Sequence, residues 1–211
     1  MFVDREHAAS QLAEALAAYR GKRPLLLGIP RGGVPMARLI ADSLGGELDV
    51  VLVRKLGAPW SPELAIGAVD ESGVVSLDAL ADDLPAAYVD EERERQLAVI
   101  RRRRASYSAL QPAIPVSGRL VIVVDDGLAT GATMLAALQA LRRKHPARLV
   151  CAVPVAPPDT LQRVQAVADE VLCLQVTADF SAVGQFYRHF DEVNDAMVLA
   201  ALRSPPPDPP R

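Results

Sequence analysis

The chain has 211 residues, 50% of them hydrophobic and 23% charged, with 23 Lys and Arg against 26 Asp and Glu for a formal charge of −3. That length predicts one domain of ordinary size, and the composition excludes wholesale disorder and places the chain among soluble globular proteins. The near-neutral balance lacks the basic footprint of non-specific nucleic-acid binding, so no nucleic-acid partner is expected.

No apolar run approaches the ~20 residues that a bilayer span needs, and residues 1–10 carry Asp4, Arg5 and Glu6 without the apolar stretch of a secretory leader. A cytoplasmic location with no membrane partner is the expectation. The only cysteines, Cys151 and Cys173, sit inside apolar runs, as reduced packing residues do, and join His7, His145 and His189 in no zinc-like spacing.

Asp4 is a plausible N-cap, and Ala8, Leu12, Ala15, Leu16 and Tyr19 recur at helical spacing up to Gly21, which predicts a first amphipathic helix. Residues 24–29 form a short apolar run. Pro30, Arg31, Gly32 and Gly33 follow, and then Val34, Ala37, Ile40 and Leu44 at helical spacing lead to a stop at Gly45 and Gly46. The alternation continues with strands at 48–53 and 120–124, a helix at 134–144, a strand at 149–155, a helix at 160–168 and a strand at 171–176. Such alternation predicts an α/β fold with a mostly parallel sheet flanked by helices.

Two stretches break the rhythm. Residues 57–77 mix Pro59, Pro62, Gly67 and Gly73 with short apolar pieces and read as a hairpin or a mobile loop. Residues 90–107 begin acidic, with Asp90, Glu91 and Glu92, and end basic, with Arg101 to Arg104, an order that complements a helix dipole. Those arginines read as a solvated helix face, or as a dimer edge. Residues 204–211 are a proline-rich tail, expected to be disordered, behind a single domain over 1–203.

The chemistry concentrates in residues 120–133, LVIVVDDGLATGAT: an apolar strand, two carboxylates at its end, and a small-residue loop opening a helix. Free backbone N–H groups at a helix start, with the helix dipole, bind phosphate. Gly127, Gly131 and Ala132 allow close approach, and Thr130 and Thr133 can add hydroxyl donors. Asp125 and Asp126 could accept hydrogen bonds from a sugar diol or help to hold a metal. The loop has neither the lysine of a Walker A motif nor G-x-G-x-x-G, so ATP and dinucleotide readings weaken.

VIVVDDGLATGAT resembles the phosphoribosyl-pyrophosphate signature of type I phosphoribosyltransferases. LGIPRGG at 27–33 is similar to that family's pyrophosphate-binding loop. The resemblance extends through VRKLGAPWSPELAIGAV and VGQFYRHFDEVND, and is closest to a subgroup of stand-alone bacterial members without a defined acceptor. It implies a small hood at 177–195 and, at 58–72, a flexible loop that closes over the ligand. It also implies a non-proline cis peptide at Pro30–Arg31 that aims N–H groups at the pyrophosphate.

The resemblance further implies phosphoribosyl pyrophosphate as substrate, Mg²⁺ as cofactor and a homodimer. Pyrophosphate would be met by Pro30, Arg31, Gly32, Gly33, Arg54 and Lys55. The 5-phosphate would be held by Thr130, Gly131, Ala132 and Thr133, with Gly127, Leu128 and Ala129 as further substrate-binding residues of the same loop. Asp125 and Asp126 would hold the ribose and, mostly through the substrate, the metal; catalysis would rest on Arg31, Lys55, Asp125 and Asp126. Family members acting on 6-oxopurines have an acidic residue where this chain has Ala129, which argues against hypoxanthine or guanine as acceptor. The alternative is a non-enzymatic regulator that binds phosphoribosyl pyrophosphate.

Trp60, flanked by prolines, reads as a local packing anchor, and Glu63 is the other notable side chain of its loop. In the hood, Phe180, Phe186, Tyr187 and Phe190 could stack on a base, although the i, i+4 spacing of Phe186 and Phe190 ordinarily means core packing. His189 reads as a surface histidine.

Overall fold

The computed structural model describes residues 1–108 and 112–203; the proline tail and the side chains of Pro62, Glu63 and Ser108 lie outside the described residues. In chain order the elements are α1 (Arg5–Ala15), β1 (Leu25–Gly28), α2 (Gly33–Leu44), β2 (Glu47–Val50), β3 (Val53–Ala58), β4 (Ser61–Asp70), β5 (Val75–Leu77) and α3 (Ala86–Ser108). They continue with β6 (Leu120–Val124), α4 (Ala132–Arg142), β7 (Arg148–Ala156), α5 (Pro158–Gln165), β8 (Glu170–Val176) and α6 (Asp195–Arg203).

Five strands form a central sheet in the order β2-β1-β6-β7-β8, every neighbouring pair parallel. Strand residues alternate between two buried faces. Leu26, Ile122, Val124 and Val150 face a core shared with Leu12, Val34 and Ile40 of α1 and α2. Leu25, Leu27, Val121, Val123 and Cys151 face a second core with Met134, Leu138, Leu161 and Val164 of α4 and α5. Burial on both faces is why these strands are unbroken apolar runs. Both cysteines are free thiols, and burial pushes Cys173 up to about 11 and Cys151 higher still.

Helix ends follow capping chemistry. The Asp4 carboxylate accepts the His7 N–H at 2.8 Å at the start of α1, and Gly45 closes α2 in the left-handed conformation (φ 67°). α1 stops at Ala15 and tightens into a 3₁₀ turn over Ala17–Tyr19, so the predicted helix is one regular segment and one short turn.

The predicted strand at 48–53 is two elements. β2 ends at Val50, and the chain enters a separate antiparallel sheet, β3-β4-β5, at Val53. Val51 and Leu52 are buried between the two, so the apolar run continues across the change of sheet and conceals it. Of the two readings of residues 57–77, the hairpin holds: β3 and β4 pair from Val53↔Asp70 to Ala58↔Ser61, with Leu56 and Ile66 fully buried. Trp60 sits at the hairpin tip, 63% exposed, outside the buried core.

α3 begins at Ala86, earlier than its charged run suggested, and the basic end is not simply a solvated face. Arg104 reaches inward to Glu71 and to Asp49 (3.0 Å), while Arg101 stays 69% exposed. α6 was not foreseen; Val198 and Leu202 bury it against α2. Among the described residues no helix is long and apolar enough to cross a membrane.

Candidate active site

The register Gly28↔Val124 between β1 and β6 places the two loops that leave these strands side by side at the carboxyl edge of the sheet. Ile29 donates its N–H to the Val124 carbonyl at 2.9 Å, continuing the ladder into the loops. The contact is so close that side chains are excluded. A Cβ on Gly32 would overlap the Asp126 carboxylate, and one on Gly33 would overlap the Val124 carbonyl. The peptide between Pro30 and Arg31 is cis, as the family resemblance implies.

Residues 127–133 wrap the opening of α4. Gly131 caps the helix in the left-handed conformation (φ 71°) with no side-chain hydrogen bond, so the first N–H groups of the helix remain available to an anion. A Cβ on Gly131 would lie 2.6 Å from Thr160 Cγ2, and one on Gly127 2.7 Å from Val183 Cγ1. The outer side of the loop is braced: Leu128 N–H donates to Val155 O at 2.9 Å, Thr160 Oγ1 donates to Ala129 O at 2.8 Å, and Arg163 donates to Thr130 O. Ala129 and Thr130 are exposed at the loop crest, while Thr133 is half-buried at the helix start.

Burial, then the charge of neighbouring Asp126, pushes the Asp125 carboxyl well above the usual range; its Oδ1 accepts the Asp126 N–H at 2.9 Å. Burial raises Asp126 as well, opposed by Arg5. Arg5, from the first turn of α1, puts Nε at 2.9 Å and Nη2 at 2.8 Å from Asp126 Oδ2. Its remaining nitrogen donates to Asp191 O at 2.6 Å, and its guanidinium lies 3.9 Å over the ring of Phe190. Arg31 meets Glu192 at 2.6 Å.

Sequence reasoning missed Arg5 and Glu192, and read Tyr187 only as a ring that could stack on a base. Tyr187 donates its hydroxyl to the Asp126 carbonyl at 2.6 Å, and burial raises its pKa above the ordinary phenol value. The segment around it is pinned by residues 2 and 3: Phe2 N–H donates to Phe186 O at 2.7 Å, and Arg188 and His189 donate to the carbonyls of Phe2 and Val3 at 2.9 Å. These partners are more than 180 residues apart in the chain, so no local pattern could announce them. His189 is exposed.

The aromatics at 180–190 mostly engage one another. Phe186, in a 3₁₀ turn over Val183–Phe186, is buried against Phe180 with centroids 5.1 Å apart, and Phe190 lies 4.9 Å from Tyr187. Phe190 is 38% exposed and on no helix, so its i, i+4 relation to Phe186 does not put both in the core.

The structure thus brings residues 30–33 and 125–133 together. Arg54 and Lys55 lie on β3: Arg54 donates Nε to Gln96 Oε1 at 2.7 Å, with its pKa lowered by burial and then by Arg103, and Lys55 is exposed. Val51 N–H donates to Gly28 O at 3.2 Å, which keeps the start of the small sheet close to the carboxyl edge. Beside the acidic pair is a cavity of about 380 Å³, walled by Arg5, Arg31 and Gly32 and by residues 190–193. A second cavity of about 530 Å³ lies by Tyr19, Arg148 and Glu170, where strands β7 and β8 begin. No group of three or more His, Cys, Asp and Glu among the described residues converges as a metal site.

The sequence pattern of the phosphoribosyl transferase domain family matches residues 2–190. The chain belongs to this family. A Mycobacterium tuberculosis H37Rv protein with a provisional phosphoribosyl transferase name is 45% identical over 205 residues, covering 96% of this chain and 46% of the relative. The phosphoribosyl transferase domain described here therefore spans about half the length of that curated relative. A protein of Thermus thermophilus with a known crystal structure is 49% identical, with a TM-score of 0.84 over 96% of this chain and 97% of that one. The purine phosphoribosyltransferase of Pyrococcus horikoshii shares the fold at 16% identity, with a TM-score of 0.50 over 89% of this chain and 90% of that one.

Proposed function

We propose that this chain transfers the 5-phosphoribosyl group of phosphoribosyl pyrophosphate, together with Mg²⁺, to a nucleophilic acceptor other than a 6-oxopurine, releasing pyrophosphate. The observation that supports this most is the packing of Gly32 and Gly33 against Asp126 and Val124. It joins a cation-bearing loop, an acidic pair and an uncapped helix start in one cleft. A sugar carrying a phosphate at one end and a diphosphate at the other matches that order of groups.

In this reading, the N–H groups at 130–133 hold the 5-phosphate, with the hydroxyls of Thr130 and Thr133 as further donors. Asp125 and Asp126 accept from the ribose hydroxyls. Asp126 has Oδ2 committed to Arg5 and Oδ1 left for the sugar. Arg31, freed from Glu192, takes the pyrophosphate, and Arg54 and Lys55 add positive charge from β3. As the C1–O bond breaks, positive charge grows on the ribose and negative charge on the leaving group. Carboxylates beside the first and guanidinium groups beside the second favour that separation.

A Mg²⁺ ion fits here only as a shared ligand. A hard cation requires about six oxygen donors, and the cleft offers chiefly the Asp125 carboxylate, since Asp126 Oδ2 is held by Arg5. The substrate's hydroxyl and diphosphate oxygens would supply the rest, and the ion would neutralise charge on the departing diphosphate.

The test is pyrophosphate release on incubation with phosphoribosyl pyrophosphate, Mg²⁺ and a panel of bases, amines and carboxylates. Acceptor-dependent release is expected, and tight binding without any release would assign the chain the regulatory role. Asp125→Asn combined with Asp126→Asn is expected to weaken phosphoribosyl pyrophosphate binding at least about a hundredfold by calorimetry, as two charge-assisted contacts would be lost. Unchanged affinity removes the ribose role.

A further inference from the structure

We infer that Thr160 and Arg163 of α5 are positioning residues for the 5-phosphate. By holding the carbonyls of Ala129 and Thr130 on the outer side of the loop, they turn the N–H groups of Thr130 and Gly131 toward the phosphate. The inference rests on the phosphoribosyl pyrophosphate site proposed above and concerns what fixes its phosphate end.

A trans peptide is planar, with its C=O and N–H pointing in opposite directions. Pro30–Arg31 is the one cis bond among the described residues, so the peptides joining Ala129 to Thr130 and Thr130 to Gly131 are trans. Thr160 Oγ1 donates to Ala129 O at 2.8 Å, and Arg163 Nη2 donates to Thr130 O. Both carbonyls therefore point to α5, and the N–H group across each peptide points away from it. Neither N–H has a hydrogen-bond partner among the described residues. They extend the row of free donors that begins at the start of α4, and successive free N–H groups of this kind make a concavity for an anion.

The two side chains act from different surroundings. Thr160 is buried and occupies a space that exists only because residue 131 is glycine, since a Cβ there would lie 2.6 Å from Thr160 Cγ2. Its methyl group seats α5 against the loop, and its hydroxyl holds the peptide. Arg163 is exposed at the loop crest. A charged donor strengthens the bond to the Thr130 carbonyl and polarises that peptide, which makes the Gly131 N–H a better donor to an anion. Neither side chain needs to touch the phosphate.

The pyrophosphate end of the cleft shares none of these contacts. Residues 30–33 are set by the packing of Gly32 and Gly33 against Asp126 and Val124. Loss of the α5 bonds therefore weakens one end of the site and spares the other.

The test measures two ligands by calorimetry, ribose 5-phosphate for the phosphate end and magnesium pyrophosphate for the other. Thr160→Val keeps the methyl group and removes the hydroxyl, Thr160→Ser does the reverse, and Arg163→Leu removes the guanidinium. Thr160→Val and Arg163→Leu are each expected to weaken ribose 5-phosphate binding about tenfold, the effect of one misdirected charge-assisted hydrogen bond, with magnesium pyrophosphate binding unchanged. Thr160→Ser is expected to keep the parent's affinity for both. Thermal melts confirm folding, and should Thr160→Val fail to fold, Arg163→Leu decides alone because its position is exposed. Unchanged affinity for ribose 5-phosphate, equal weakening of both ligands, a Thr160→Ser variant as weak as Thr160→Val, or no ribose 5-phosphate binding by a parent that binds phosphoribosyl pyrophosphate overturns the inference and leaves the phosphoribosyl pyrophosphate site standing. A parent that binds neither of the two ligands nor phosphoribosyl pyrophosphate overturns that site, and the inference with it.

Discussion

The two sides of the cleft are built differently. The floor, residues 28–33 and 125–133, hangs from two adjacent central strands and is packed so closely that glycine is the only residue its backbone admits at 32 and 33. The rim, residues 190–193, is exposed at 190–192 and held by side chains from elsewhere in the chain: Arg5 on the Asp191 carbonyl and the Phe190 ring, and Arg31 on Glu192. A floor with fixed geometry suits groups common to every turnover, the phosphates and the ribose. An exposed rim suits the part of the reaction that differs from one family member to another.

The contrast breaks most readily at Gly33. Gly33→Ala pushes a methyl group into the Val124 carbonyl. It is expected to cost about 1–3 kcal/mol of stability and, by displacing the loop from Asp126, at least about a hundredfold in phosphoribosyl pyrophosphate affinity, read by thermal melts and calorimetry. A variant that binds normally would show that the floor tolerates movement.

The β3–β4 hairpin is as firmly packed as the floor away from its exposed tip. Ile66 is fully buried on β4, and Ile66→Ala should destabilise by about 2–5 kcal/mol in denaturant unfolding. A cost below about 1 kcal/mol would mean that the hairpin is a detachable lid along its whole length.

Asp169 lies just before β8, far from the cleft in the topology. Its pKa is lowered chiefly by hydrogen bonds from Arg142, which outweigh the opposing effect of burial, and further by the Leu149 N–H. A depressed carboxyl stabilises the fold above its unfolded pKa of about 3.9, and the contribution is lost as pH falls through the folded value. Asp169→Asn should therefore be less stable than the parent at pH 7, by less than about 1 kcal/mol for so exposed a pair, and equal to it near pH 2.

The smallest effect belongs to Trp60. With its side chain in solvent at the hairpin tip, Trp60→Ala should change stability by no more than about 0.5 kcal/mol. A change in pyrophosphate release without a change in melting temperature would assign the tip to closure over the ligand.

The floor was legible because each of its demands falls on consecutive residues. The apolar runs at 24–29 and 120–124, the glycines behind them and the acidic pair mark a strand, a tight turn and a helix start in one short window each. The rim was not legible. Arg5 reads as one more polar residue of a helix start, yet it clamps Asp126 from 121 residues away. Glu192 reads as a solvated acid, yet it covers Arg31. The change of sheet between Val50 and Val53 was hidden because burial continues through Val51 and Leu52.

By itself the sequence determined the alternating strands and helices, the two-faced burial of the central sheet and the loop chemistry at its carboxyl edge. Each is governed by neighbours within a few positions, through periodicity, glycine backbone freedom and helix-end N–H groups. Only the tertiary structure decided which charges meet which. Arg5 with Asp126, Arg31 with Glu192 and Tyr187 with the Asp126 carbonyl are pairings set by the crossing of distant segments, and the energy of a charge depends on the partner and burial it finds there.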